Sequence, residues 1–132
     1  MIIVVDGNDG TGKSTLVERL RKEGYDVQDR GIPTKLTDDS SLKPNPDEFY
    51  IILDAPIEVC RERLKKAGRD LNEKYHTIED LTYYRQRFLY VAEQIKDYCV
   101  LIDSARTINE VYRDSVKSIE ERMRIAETHS TK

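Results

Sequence analysis

A three-layer α/β domain, with a parallel sheet of about four strands and helices on both faces, is the fold this sequence predicts. Short unbroken apolar runs alternate with segments whose apolar residues recur every three or four positions, as buried strands joined by amphipathic helices do. A glycine-rich turn, Gly7 to Ser14, links the first apolar run to the first helical segment. The chain has 132 residues, the size of one domain with one core. We expect that domain to occupy 1–128, with 129–132 a frayed tail.

Ile2-Ile3-Val4-Val5 is a continuous apolar run, expected of a strand buried on both faces. Lys13 to Glu23 reads as a helix with Leu16, Val17 and Leu20 on one face and Gly24 as its stop. Tyr25 to Gln28 is a short strand. Phe49 to Leu53 is a second buried strand, closed by Asp54-Ala55-Pro56. Ile57 to Ala67 is a helix ended by Gly68. The longest helix spans Ile78 to Asp97, with Ile78, Leu81, Tyr84, Phe88, Val91 and Ile95 spaced by three or four, Thr77 as its cap and Asp80 at its third position. Tyr98 to Ile102 is a third buried strand, and Ile108, Val111, Val116, Ile119 and Met123 mark a final helix. Such alternation implies right-handed crossovers between parallel strands. Residues 31–48 fit neither period and hold three of the four prolines, so they read as a long surface loop of the functional kind.

Composition removes several classes. Apolar residues make up 38% and charged ones 36%, polar but globular. A chain of this length buries roughly two-thirds of its unfolded surface without a disulfide or metal staple. No run approaches the roughly 20 apolar residues of a membrane span, so no membrane partner is expected. The run at Ile2 is too short for a signal h-region. Cys60 and Cys99 form neither a disulfide framework nor a ligand cluster and read as core thiols, which points to a reduced, cytoplasmic setting. A net charge near −3 argues against a non-specific nucleic-acid coat, though not against an enzyme gripping one nucleotide of a polymer.

Gly7-Asn8-Asp9-Gly10-Thr11-Gly12-Lys13-Ser14 carries the most specific signal, Gly-x-x-x-x-Gly-Lys-Ser, between a strand and a helix. Glycines let the backbone turn tightly and aim several N–H groups at one anion, and the helix beginning near Lys13 adds its positive end. The loop residues from Gly7 through Thr15 would cradle the phosphates of ATP. Lys13 would bridge the β and γ phosphates, and the Ser14 hydroxyl would ligate Mg²⁺. The fold is then of the P-loop NTPase type. A GTPase would need a base-reading Asn-Lys-x-Asp segment, which is missing, and motors need a larger chain. The small size favours a kinase.

Asp6 to Thr15 resembles the opening of thymidylate kinases. Asp29-Arg30 is similar to that family's Asp-Arg pair at the end of the strand beside the P-loop strand. Leu53-Asp54-Ala55-Pro56, with Glu58, Arg61 and Arg63, is similar to its next strand and helix. Arg69-Asp70, with Glu73, resembles a remnant of the lid over ATP. The resemblance implies a carboxylate at Asp9 near the acceptor sugar, and it places Arg85 and Phe88 beside the substrate. It covers roughly residues 2 to 110. The family inserts a helical acceptor-binding region ahead of the Asp-Arg strand, whereas here Asp29 follows Gly24 by five residues. The acceptor wall is therefore open, built from loop 31–48, or supplied by a second chain, as in a homodimer. An open wall suits a large acceptor. In this the chain resembles a bacteriophage branch of the family that phosphorylates 5-hydroxymethyluracil in DNA, acting in the host cytoplasm.

By that resemblance the expected catalytic set is Lys13, Asp29, Arg30 and Arg69, and the substrate set is Asp9, Arg30, Arg85 and Phe88. Mg²⁺ would be held by Ser14 and, through water, by Asp29. A hydroxyl acceptor gains typically ~10²–10⁴-fold from a general base. Asp29 is the first choice for it and Asp9 the second. Arg61, Arg63, Lys65, Lys66 and Arg69 form a basic run that reads as a solvated face, a lid over ATP or a contact to DNA. Most of Tyr75, Tyr83, Tyr84, Tyr90 and Tyr98 are expected in the core, with Tyr83 or Phe88 free to stack on a pyrimidine. His76 reads as a surface residue. Three alternatives stand beside the DNA kinase: a kinase of free thymidylate or another deoxynucleoside monophosphate, a small-molecule alcohol kinase, and a non-catalytic nucleotide-binding regulator.

Overall fold

The apolar run at Ile2 becomes a central strand because neighbours pair with it on both sides and helices cover both of its faces. A computed structural model describes residues 1–29 and 44–130. Among them the order is β1 (Ile2–Gly7), α1 (Lys13–Lys22), β2 (Val27–Asp29), β3 (Glu48–Asp54), α2 (Ile57–Lys66), α3 (Ile78–Gln94), β4 (Cys99–Asp103) and α4 (Ile108–Ser130). The sheet is parallel throughout, with strand order β2-β1-β3-β4. Arg30 and most of loop 31–48 lie outside the described residues.

Alternate residues of the sheet serve two cores, as the two-residue strand period requires. Ile3 and Val5 of β1, with Phe49, Ile51 and Leu53 of β3, pack against Leu16, Val17 and Leu20 of α1 and Val111 and Ile119 of α4. Val4, Tyr50 and Ile52 face the other way, onto Phe88, Val91 and Ile95. The predicted three layers are therefore present. Thr77 caps α3 by accepting from the Asp80 amide at 3.1 Å. Two expectations change at helix ends. Ile78, taken as part of the buried stripe, is 60% exposed, because the first turn of α3 precedes its contact with the sheet. The last helix runs on to Ser130, into the stretch expected to fray.

This topology fixes where a ligand can sit. The chain leaves β1 for β2 on one side, then passes back to β3 on the other. In open α/β sheets a crevice forms at the carboxyl ends of the two strands where the order reverses. Those ends are Gly7 and Asp54, with Asp103 beside them across the Asp54–Asp103 register. None of the described helices is long and apolar enough to cross a membrane.

Candidate active site

The glycine-rich turn leaves β1 at this edge and closes on itself. The Thr11 hydroxyl donates to the Asn8 carbonyl at 2.6 Å, and the Thr11 amide to the same oxygen at 3.3 Å. Gly10 has φ +85°, and a Cβ there would lie 2.6 Å from the Cys60 carbonyl oxygen of α2, so only glycine fits. Gly12 stands at the helix cap in the left-handed region, φ 94°, and no side chain caps α1. The first amides of α1 therefore keep donors that no side-chain cap takes up, the arrangement that binds an anion. Lys13 is buried, and its Nζ donates to the Gly7 carbonyl at 2.8 Å.

A cavity of about 470 Å³ opens over this helix start. Its floor is the turn from Asp9 to Thr15. Leu64, Ala67, Ile108 and Val111 give it an apolar side, and Arg63, Arg69, His76, Ser104 and Arg106 a polar one. A volume of this size with an apolar wall and few polar groups is what a small ligand needs. Arg63 ties its walls together, donating to the Ser104 carbonyl at 2.6 Å and the Gly10 carbonyl at 3.4 Å. Arg106 is drawn toward Asp114 at 2.6 Å, a hydrogen bond that raises its pKa above the ordinary arginine value.

Two carboxylates flank the turn. Asp9 faces the cavity, with Oδ1 3.6 Å from Lys13 Nζ and Oδ2 3.1 Å from His76 Nε2. Asp29 lies at the end of β2 beside a separate open groove shared with Ser14, Val17, Glu18, Arg21 and Lys22. There the Ser14 hydroxyl donates to Asp29 Oδ2 at 3.4 Å. Among the described residues no three His, Cys, Asp or Glu side chains gather to hold a metal alone. A hydroxyl beside a carboxylate, both hard oxygen donors, suits Mg²⁺ that completes its shell with phosphate and water.

The remaining expected residues divide. Ser14, Thr15 and Arg69 line the cavity. Phe88 is 3% exposed in the sheet-facing core and cannot stack on a base from there. Arg85 does not line the cavity either. It grips Asp54 with two bonds, at 2.9 and 3.1 Å, and that carboxylate raises its pKa. The basic run splits. Arg61 and Arg63 turn inward onto backbone carbonyls, while Lys65 and Lys66 stay exposed. The tyrosines are less buried than expected, since Tyr83 and Tyr90 are exposed and Tyr75, Tyr84 and Tyr98 only half-buried. Cys60 is fully buried, which pushes its thiol up to about 11, and half-buried Cys99 rises to about 11 as well.

His76 is the residue that sequence reasoning missed. It is 5% exposed, and Arg61 donates to its carbonyl at 2.9 Å, folding residues 70–76 back against α2. The only local signal was its place just ahead of the Thr77 cap.

No protein-family model matches the chain. The chain is 32% identical over 84 residues to the probable thymidylate kinase 1 of Saccharolobus solfataricus, covering 64% of this chain and 41% of that protein. It is 35% identical over 82 residues to the thymidylate kinase of Fervidobacterium nodosum, covering 62% of this chain and 40% of that one. It is also 31% identical over 114 residues to the bifunctional cordycepin biosynthesis cluster protein 3 of Cordyceps militaris, covering 66% of this chain and 13% of that protein. The chain thus spans about two fifths of the length of the thymidylate kinases it matches. The deoxyadenosine kinase of M. mycoides, solved with bound dCTP, superposes with a TM-score of 0.69 at 14% identity, over 92% of this chain and 100% of that one. At that identity the likeness is one of fold. This chain has a P-loop NTPase-type α/β fold.

Proposed function

We propose that this protein is a kinase that moves the γ-phosphate of ATP to a thymidine-like acceptor. One observation carries the reading: an uncapped helix start and a buried lysine share the floor of a cavity whose far side is apolar. Phosphates fit the amides of the turn, and the nucleoside fits between Leu64, Ala67, Ile108 and Val111. Phosphoryl transfer needs positioning and charge neutralisation more than covalent help. Lys13 leaves the Gly7 carbonyl to meet the β and γ phosphates. Arg69, with Arg30, takes up charge on the transferring group. Mg²⁺ held by the Ser14 hydroxyl, with Asp29 behind it, supplies further neutralisation when bound.

The two carboxylates suit different tasks. Asp29, against Ser14, belongs with the metal and stands ready as the base for a hydroxyl acceptor. Asp9, inside the cavity, faces the acceptor sugar. The preferred acceptor is the hydroxymethyl group of 5-hydroxymethyluracil in DNA. It is supported by the short link from Lys22 to Val27, which leaves no room there for a helical acceptor wall. The thymidylate kinase relatives favour a second acceptor, free thymidine monophosphate.

Labelled ATP offered with thymidine monophosphate, a free nucleoside and hydroxymethyluracil-containing DNA separates these readings. Label in the DNA alone supports the first acceptor, and label in the monophosphate alone replaces it with the second. Label in none of them rejects a thymidine-like acceptor and favours a nucleotide-binding regulator.

A further inference from the structure

His76 is a buried titratable side chain for which the proposed reaction has no use, yet it touches the phosphate loop directly. Its ring is pinned at both nitrogens. Nε2 lies 3.1 Å from Asp9 Oδ2, and Nδ1 lies 3.1 Å from the Asp70 carbonyl oxygen and 3.5 Å from Glu73 Oε2. All of these neighbours are acceptors when the carboxylates are ionised, and the tautomer with its proton on Nε2 donates that N–H to Asp9 Oδ2. The backbone around it is fixed as well. The His76 amide donates to the Glu73 carbonyl at 3.0 Å, and Arg61 donates to the His76 carbonyl at 2.9 Å. Tyr75, the residue before it, sits at φ +72°, a left-handed conformation that costs a non-glycine residue about 1–3 kcal/mol and persists where surrounding contacts enforce it.

Asp9 is therefore shared. One oxygen is held by His76, and the other stops 3.6 Å from Lys13 Nζ, beyond hydrogen-bond length. A carboxylate four residues ahead of a buried lysine would otherwise close on it, since attraction between charges grows as water is excluded. A closed pair would withhold Lys13 from the phosphates. We propose that His76 is a positioning residue that holds the Asp9 carboxylate off Lys13 and keeps that lysine available to the triphosphate. This rests on the nucleotide reading of the cavity, and it adds a residue and a task that reading lacks.

The test is binding of a non-hydrolysable ATP analogue by calorimetry, which needs no acceptor. His76→Asn keeps a donor near the Asp70 carbonyl but cannot span to Asp9, and it should weaken binding about tenfold. His76→Gln can still donate to Asp9 and should stay within about threefold of the parent. Joining Asp9→Asn to His76→Asn should remove the defect, so that the double variant binds like Asp9→Asn alone. A merely structural His76 would give a double variant as weak as His76→Asn, and that result, or full affinity in His76→Asn, overturns the inference. Hydrogen exchange at amides 71–77 without nucleotide reads the contact itself. It should quicken in Asp9→Asn and His76→Asn alike, and no change in either also overturns the inference. A parent that binds no triphosphate rejects the nucleotide reading first, and the role of His76 falls with it. A parent that binds, with variants that do not follow this order, defeats the His76 role alone.

Discussion

The phosphate loop has a carboxylate at each flank, and the two are built in opposite ways. Asp9 is enclosed by His76, Lys13 and the segment that Arg61 folds back, and Gly10 beside it presses on the backbone of α2. Asp29 is exposed at the end of a three-residue edge strand, with the Ser14 hydroxyl 3.4 Å away. The closed flank can hold a geometry before ligand arrives. The open flank depends on what binds there.

The largest effect lies between the flanks. Lys13→Ala should cut phosphate transfer by about 10³-fold, as removal of a preorganised charge from a transfer site does, with the fold intact by circular dichroism. Near-parental activity would remove Lys13 from the chemistry. On the closed flank, Gly10→Ala forces both a left-handed φ on alanine and a 2.6 Å approach to the Cys60 carbonyl. A loss of about 3 kcal/mol in denaturant unfolding is expected. A loss below about 1 kcal/mol would show that the loop is not pressed on α2. Arg61→Ala removes the bonds to the Leu71 and His76 carbonyls, at 3.2 and 2.9 Å. About 1–2 kcal/mol should go with them, and exchange at 70–77 should quicken. On the open flank, Asp29→Asn should change stability by less than about 0.5 kcal/mol while raising several-fold the Mg²⁺ needed for half-maximal activity. Large destabilisation with unchanged Mg²⁺ dependence would reverse the contrast.

The smallest effect concerns Cys60, whose backbone supports Gly10. Burial raises its thiol from 9.0 to about 11, so the folded chain keeps a proton that the unfolded chain releases. The stability this gives is complete below pH 9.0 and is lost as pH rises to about 11. Melting temperature should therefore fall across that window less steeply in Cys60→Ala than in the parent. Equal slopes would mean that the thiol is open to water.

The sheet and the phosphate loop were legible because their signals are local. The apolar runs at Ile2 and Phe49 each mark a strand buried on both faces, the run at Tyr98 marks an edge strand that is only partly buried, with Leu101 exposed, and glycine at fixed spacing marks a turn that must admit backbone donors. Phe88 shows periodicity outweighing resemblance: its place on the Leu81, Phe88, Val91 stripe is the core position it holds, while likeness to a family set it beside a substrate. Ile78 shows the limit of periodicity, since a stripe says nothing about where a helix first meets its sheet. His76 could not be found this way. Its burial follows from Arg61 bending a segment without regular structure, a contact across fifteen positions of sequence that carries no pattern. Arg85 gives two of its guanidinium donors to Asp54, a partner thirty-one positions away that no spacing rule announces.

Titration of ¹⁵N-labelled protein with a non-hydrolysable ATP analogue and Mg²⁺ tests the central claim most directly. Amide signals of residues 9 to 15 and of Ser104 to Arg106 should shift together and saturate, and Lys13→Ala should abolish the response. Saturating shifts confined to other surfaces, or an unaltered response in Lys13→Ala, would contradict a triphosphate seated on the start of α1.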